Sequence, residues 1–163
     1  MMQAVLDAVL SALQAAGIRA VPQYPALALD KNTPTVCVGV RSQTLTSPGF
    51  GSYLGKGEHQ GAPTEQYGVK ADLTVLLDLY VPGGQAAAAQ TLFAGVSGAL
   101  AALPSGVRAR TLTRGELAPD RAVGMLRCPC ELACTAYFVC AVEEDSGRWL
   151  DFELRGVLKH ERE

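Results

Sequence analysis

Charge is the first thing this chain has little of. Asp, Glu, Lys and Arg together make 18% of its 163 residues, against a usual share of about 25%. The balance is slightly acidic, with a formal net charge of −2 and a pI near 5.7. That argues against a general nucleic-acid binder, which is strongly basic. No run of 18 or more strongly apolar residues occurs, so no membrane-spanning helix is expected. The first sixteen residues have no basic n-region and carry Asp7 and Gln14, which does not read as a secretory signal. Without one, the five cysteines are expected to be reduced thiols rather than a disulfide framework. Aromatics are few at 6%, so alanine and the aliphatics carry most of the 48% hydrophobic content. A single domain spanning 1–163 is expected, long enough to bury roughly 70% of its unfolded surface.

What is present is periodicity. Met2, Val5, Leu6, Val9, Leu10 and Leu13 recur at helical spacing, and Gly17 is placed to end that helix. Pro22, Pro25 and Pro34 break the next stretch, and Val36, Val38 and Val40 then share one face of a strand over 35–45. The segment 46–65, TSPGFGSYLGKGEHQGAPTE, reads as a long Gly-rich loop, mobile in a free subunit. Its Phe50, Tyr53, Leu54 and Lys56 are candidate partner contacts. From Tyr67 to Val81 one face is apolar and the alternate residues are mostly polar, the period of a strand with one face on a core. A helix is expected over 85–103. Strands follow over 106–117, over 123–144 with a break at Pro129, and over 149–159, with a turn at 118–121. The fold class is α+β: an antiparallel or mixed sheet with two helices packed on one face.

Several constellations resemble catalytic or metal motifs and fail in detail. Gly55-Lys56 would need a glycine where Phe50 stands and a Ser or Thr where Gly57 stands to make a P-loop. Cys128, Cys130, Cys134 and Cys140 are spaced C-x-C-x3-C-x5-C, which spreads them along one strand face instead of converging them on a metal. They read as small buried hydrophobes, as does Cys37. His59 and His160 have no nucleophile or base beside them in sequence. Asp72 and Asp78 lie roughly 20 Å apart along a strand, too far for a glycosidase pair. No catalytic residue, cofactor or metal is therefore expected.

Two features point to self-association. Arg108, Arg110, Arg114, Arg121 and Arg127 form a basic run, and Glu143, Glu144 and Asp145 an acidic knot. They are read as surface patches, as complementary charge between neighbouring copies, or as a basic face toward DNA. The second helix carries no charge at all between Asp78 and Arg108. Ala88, Thr91, Gly95, Gly98 and Ala102 form a face of small residues beside its apolar one, so a neighbouring element or subunit is expected to cover it.

The pieces AAGIRAVPQYP, QYGVKADLTVLLDLYVP, ELACTAYFVC and FELRGVLK, with the Gly-rich segment and the small-residue helix between them, follow a layout across most of the chain. That layout resembles the tail terminator and tail-completion proteins of long-tailed phages and prophages. The resemblance implies an α+β subunit without catalytic residues. It implies a hexameric ring of self-copies that caps the tail tube and meets the tail tube protein and the head-tail connector. It also implies a virion location after assembly in the bacterial cytoplasm, with DNA contact in the ring lumen an open point. A cellular homo-oligomeric or ligand-binding α+β domain, and an enzyme with an unrecognised site, stay open beside it.

Overall fold

The computed structural model describes residues 2–23, 28–59 and 61–144. The last strand expected over 149–159 lies outside these residues, as does Asp145. The elements run α1 (Met2–Ala15), β1 (Ala20–Pro22), β2 (Thr35–Thr46), a single 3-10 turn (Phe50–Ser52), β3 (Tyr53–His59), β4 (Ala62–Val81), α2 (Ala86–Leu100), β5 (Val107–Arg114), β6 (Ala118–Asp120) and β7 (Met125–Glu144). The fold is α+β, with a seven-stranded mixed sheet and two helices. β1 joins β2 in parallel, and every other pairing is antiparallel.

Two strands of 20 residues, β4 and β7, form the spine. They pair from Thr64↔Glu144 to Val81↔Leu126. β2 and β3 lie end to end along the outer edge of β4, and β5 and β6 lie end to end along the outer edge of β7. This arrangement explains why Pro129 does not break β7, as the sequence had suggested. A strand residue's N–H and C=O face the same edge, and the Pro129 carbonyl accepts from Gly115 N–H at 2.7 Å. The missing donor therefore faces the gap where β5 hands over to β6, and no ladder bond is lost there. The expected turn at 118–121 is partly strand for the same reason: β6 fills the remaining edge of β7.

The Gly-rich segment is not a long loop. β2 runs on to Thr46, and β3 and the start of β4 form a hairpin in register from Tyr53↔Tyr67 to His59↔Ala62. Low strand propensity hid it, because glycine packs nothing and is depleted in strands. Here the glycines serve the hairpin: Gly55, at φ +133°, sits at the register shift between Tyr53 and Gly55. Gly68 has another task. A Cβ there would lie 1.9 Å from the Phe138 carbonyl oxygen and 2.8 Å from Leu54 Cδ1, so only glycine allows this approach of β4 to β7.

Both helices cover one face of the sheet. Val5, Val9 and Leu13 of α1 and Val96, Ala99 and Leu100 of α2 join Val36, Val38, Ala71, Leu73, Val75, Leu77 and Leu79, all buried. α1 ends as its sequence implies. Ile18 N–H bonds Leu13 O and Gly17 N–H bonds Gln14 O, the paired bonds of a Schellman end, with Gly17 at φ +76°. Ile18 then packs on α2, where a Cβ on Gly95 would meet its Cδ1 at 3.3 Å. Gly98 has open space on the exposed side of the same helix.

Two glycine substitutions should therefore move stability in opposite directions. Gly68→Ala should cost at least about 2 kcal/mol, because backbone must shift to admit the methyl group. Gly98→Ala should stabilise by about 0.5–1 kcal/mol, since it raises helix propensity and meets nothing. Urea unfolding of the two variants against the parent chain checks both.

Candidate functional site

The other face of the sheet is covered by neither helix. Its central part is assembled by register: Asp72 lies opposite Thr135 and Lys70 opposite Tyr137 across β4 and β7, and Arg108 of β5 lies opposite Thr135. The β5 register shifts between Ala109 and Thr111, so Arg110 sits in the irregularity. The Thr135 hydroxyl donates to Asp72 Oδ1 at 2.6 Å, Lys70 Nζ lies 3.0 Å from Oδ2, and Arg110 lies 3.6 Å from Oδ1. The Thr135 hydrogen bond first, then Lys70 and the nearby Arg110, hold the Asp72 carboxyl below its ordinary range. The cluster thus stays charged above that lowered value and loses its contribution as pH falls through it. Lys70, Arg108, Arg110, Thr135 and Tyr137 line an open groove of about 480 Å³. Farther along the face Arg41 pairs with Glu131.

The opposite end of this face is closed by a small second core of Cys37, Tyr80 and Met125, with Val21, Leu29 and Val123 against it. Asp78, only 5% exposed, is held there by Arg127. Nη2 lies 2.9 Å from Oδ1 and 3.0 Å from Oδ2 and donates along the Oδ2 direction. Oδ1 and the Arg127 Nε are buried without an aligned hydrogen bond. The pair borders a cavity of about 550 Å³ that Gln23, Leu29, Lys31, Cys37 and Tyr80 also line. Burial, then the Asp78 charge, pushes the Cys37 thiol up to about 11 and the Tyr80 phenol up to about 12.

The structure separates the residues that the sequence had grouped. Phe50 opens the 3-10 turn before β3. Tyr53 is 38% exposed and meets Tyr67 edge-on at 5.6 Å between ring centres. Leu54 lies over Gly68 and is used within the hairpin. Lys56 pairs in register with Glu65 near the hairpin tip. The three β5 arginines also part company. Arg114 faces the helices: its guanidinium sits 5.7 Å above the Phe93 ring, its Nε donates to Cys128 Sγ at 3.3 Å, and it bonds Gln90. It fastens β5 to α2 while remaining exposed. Arg110 is engaged with Asp72, while Arg108 makes no hydrogen bond or ion pair among the described residues. Glu143 and Glu144 pair with Glu65 and Thr64 at the hairpin end of β7, roughly 27 Å along the strand from Thr135. Lys70, Asp72 and Thr135 were not grouped from sequence, because only the β4–β7 register joins residues 63 apart.

The cysteine reading is confirmed at four positions and corrected at one. Cys37, Cys128, Cys130 and Cys134 are buried and Cys140 is exposed. Between Gly68↔Val139 and Tyr67↔Ala141 the register shifts, so Cys140 is the extra residue of a bulge and the strand's parity breaks there. Among the described residues no group of three or more His, Cys, Asp or Glu converges as a metal-holding set.

The chain matches no protein-family model and no curated protein.

Burial raises the Cys130 thiol to about 12, with the adjoining Cys128 adding to it, and raises Cys134 as well. At pH 8 a thiol with a pKa of about 11 is roughly one-thousandth thiolate. Titration of the native protein with an aromatic disulfide reagent should show one fast thiol, lost in Cys140→Ser. The other four should react only on unfolding.

Proposed function

We propose that this protein is a structural assembly subunit of the phage tail-terminator type: a non-catalytic protein whose copies close head-to-tail into a ring on the tail tube and meet the head connector. The single observation that carries this reading is the β3–β4 arm. The arm reaches past Lys70↔Thr46, where β2 ends, and among the described residues neither helix packs on β3. Over Tyr53–Glu58 and Pro63–Val69 its residues are exposed or half-buried apart from Thr64 and Gly68. A two-stranded hairpin is marginally stable in water, and β7 supports this one along one edge only. A chain gains little for its own core by extending such an arm, whereas a neighbouring subunit or a tube surface would bury it. The exposed side of α2, with Gln90, Thr91, Ala94, Ser97, Gly98 and Ala101 and no charge, offers a second surface at a different part of the subunit. Two unlike surfaces on one chain are what a heterologous, closing contact requires.

The test combines this chain with a phage tail tube protein and images the mixture by electron microscopy. Rings seated on tube ends are the expected result. Ser97→Arg combined with Ala94→Arg should leave the circular dichroism of the subunit unchanged and abolish rings, because two unpaired charges would be desolvated at the contact. A protein that stays monomeric at high concentration and ignores the tube overturns the reading. The cavity beside Asp78 and Arg127 favours a second reading, a ligand-binding α+β domain. Its volume lies in the ordinary range for small-ligand sites.

A further inference from the structure

From the charge segregation on the uncovered face we infer that the groove formed by Lys70, Arg108, Arg110, Thr135 and Tyr137 binds the phosphodiester backbone of a nucleic acid. The chain as a whole is acidic, with a net charge of −2. Yet this groove brings three cations together against one carboxylate, Asp72. Asp72 is already saturated: Thr135 and Arg110 meet Oδ1, and Lys70 meets Oδ2. It orients Lys70 and Arg110 without neutralising the site, and the excess positive charge resides at Arg108. Arg108 is exposed and unpartnered among the described residues. A guanidinium presents a planar fork of donors that matches phosphate oxygens, and it is weakly hydrated, so little is lost when it changes partner.

The second component is aromatic. Tyr137 is 46% exposed in the same groove, directly across from Lys70, and Val139 beyond it is 48% exposed. An exposed ring beside cations serves a nucleic acid twice, by stacking on a base and by donating its hydroxyl to a phosphate. An acidic peptide would use the cations and leave the ring idle, which is why the nucleic acid is favoured. The groove is open along the face rather than enclosed, as a continuous polymer requires. The inference rests on a single subunit and does not require the ring.

The test is fluorescence anisotropy of an end-labelled oligonucleotide, single-stranded and duplex, titrated with the full chain at several salt concentrations. Duplex affinity should fall linearly in log–log form with salt, by a slope of about −0.9 for each phosphate neutralised. Arg108→Glu should weaken binding about tenfold or more and reduce the slope by about one. Tyr137→Ala should weaken the single strand more than the duplex. Arg121→Glu makes the same charge change at an exposed residue outside the groove and should leave affinity within about twofold, a general field effect only. Three results overturn the proposal. They are no binding at low salt, equal losses in the Arg108 and Arg121 variants, and Arg108-dependent binding of polyglutamate without binding of either oligonucleotide. The last would assign the groove to an acidic protein segment. Ring formation on tubes is scored separately, so failure of either reading leaves the other standing.

Discussion

The register between β4 and β7 is the constraint on which the rest of the molecule depends. On the helix side it sets Ala71, Leu73, Val75, Leu77 and Leu79 against Ala136, Cys134, Leu132, Cys130 and Cys128. Larger side chains on β4 mostly face small ones on β7, so the two strands present a surface shallow enough for α1 and α2 to lie on. Cys128, Cys130 and Cys134 are explained by this fit: they are apolar, small and buried. A slip of one residue would turn Lys70, Asp72 and Asp78 toward the helices and the leucines toward solvent. The cost of burying those charges rules out any slip by an odd number of residues.

The same register builds the opposite face. Asp72 meets Thr135, Lys70 faces Tyr137, and Tyr80 faces Arg127. Apart from Arg108, most of the charged groups there are paired. Asp72 gathers Thr135, Lys70 and Arg110, Glu131 takes Arg41, and Asp78 takes Arg127. Pairs at the exposed middle of the sheet contribute little to stability, because solvent screens them and side-chain entropy opposes them. Their effect is to hold side chains in place. The Asp78–Arg127 pair differs, since one partner is buried and removing the other would strand its charge. That pair pins the small second core and so fixes the far end of the sheet.

One-sided covering then shapes what the protein can do. Among the described residues both helices lie on one side of the sheet, while the β3–β4 arm and the polar face carry no helix. The arm, the uncharged side of α2 and the cationic groove occupy different parts of the subunit. Their chemistry differs: glycine-rich backbone and aromatic rings at the arm, small uncharged side chains on α2, and cations at the groove.

Local periodicity is a property of each segment by itself, and it was legible in the sequence. The stripe Val5–Val9–Leu13, its ending at Gly17, the alternation from Tyr67 to Val81 and the shared parity of Cys128, Cys130 and Cys134 all appear in the structure as read. They establish an α+β fold with helices on one face. The site was not legible, because it is made of pairings between distant segments. Asp72 finds Thr135, Arg114 turns to Phe93 while Arg110 turns to Asp72, and Cys140 leaves the core because a bulge opposite Gly68 breaks the parity of β7. The hairpin in 46–65 was hidden for the same reason. Glycine carries no pattern of its own, and those residues became strand only because β4 offered them an edge. Composition and period thus determined which faces are apolar. Tertiary register decided which charges meet, since a hydrogen bond or ion pair acts over a few ångströms and depends on a partner that the local sequence does not contain.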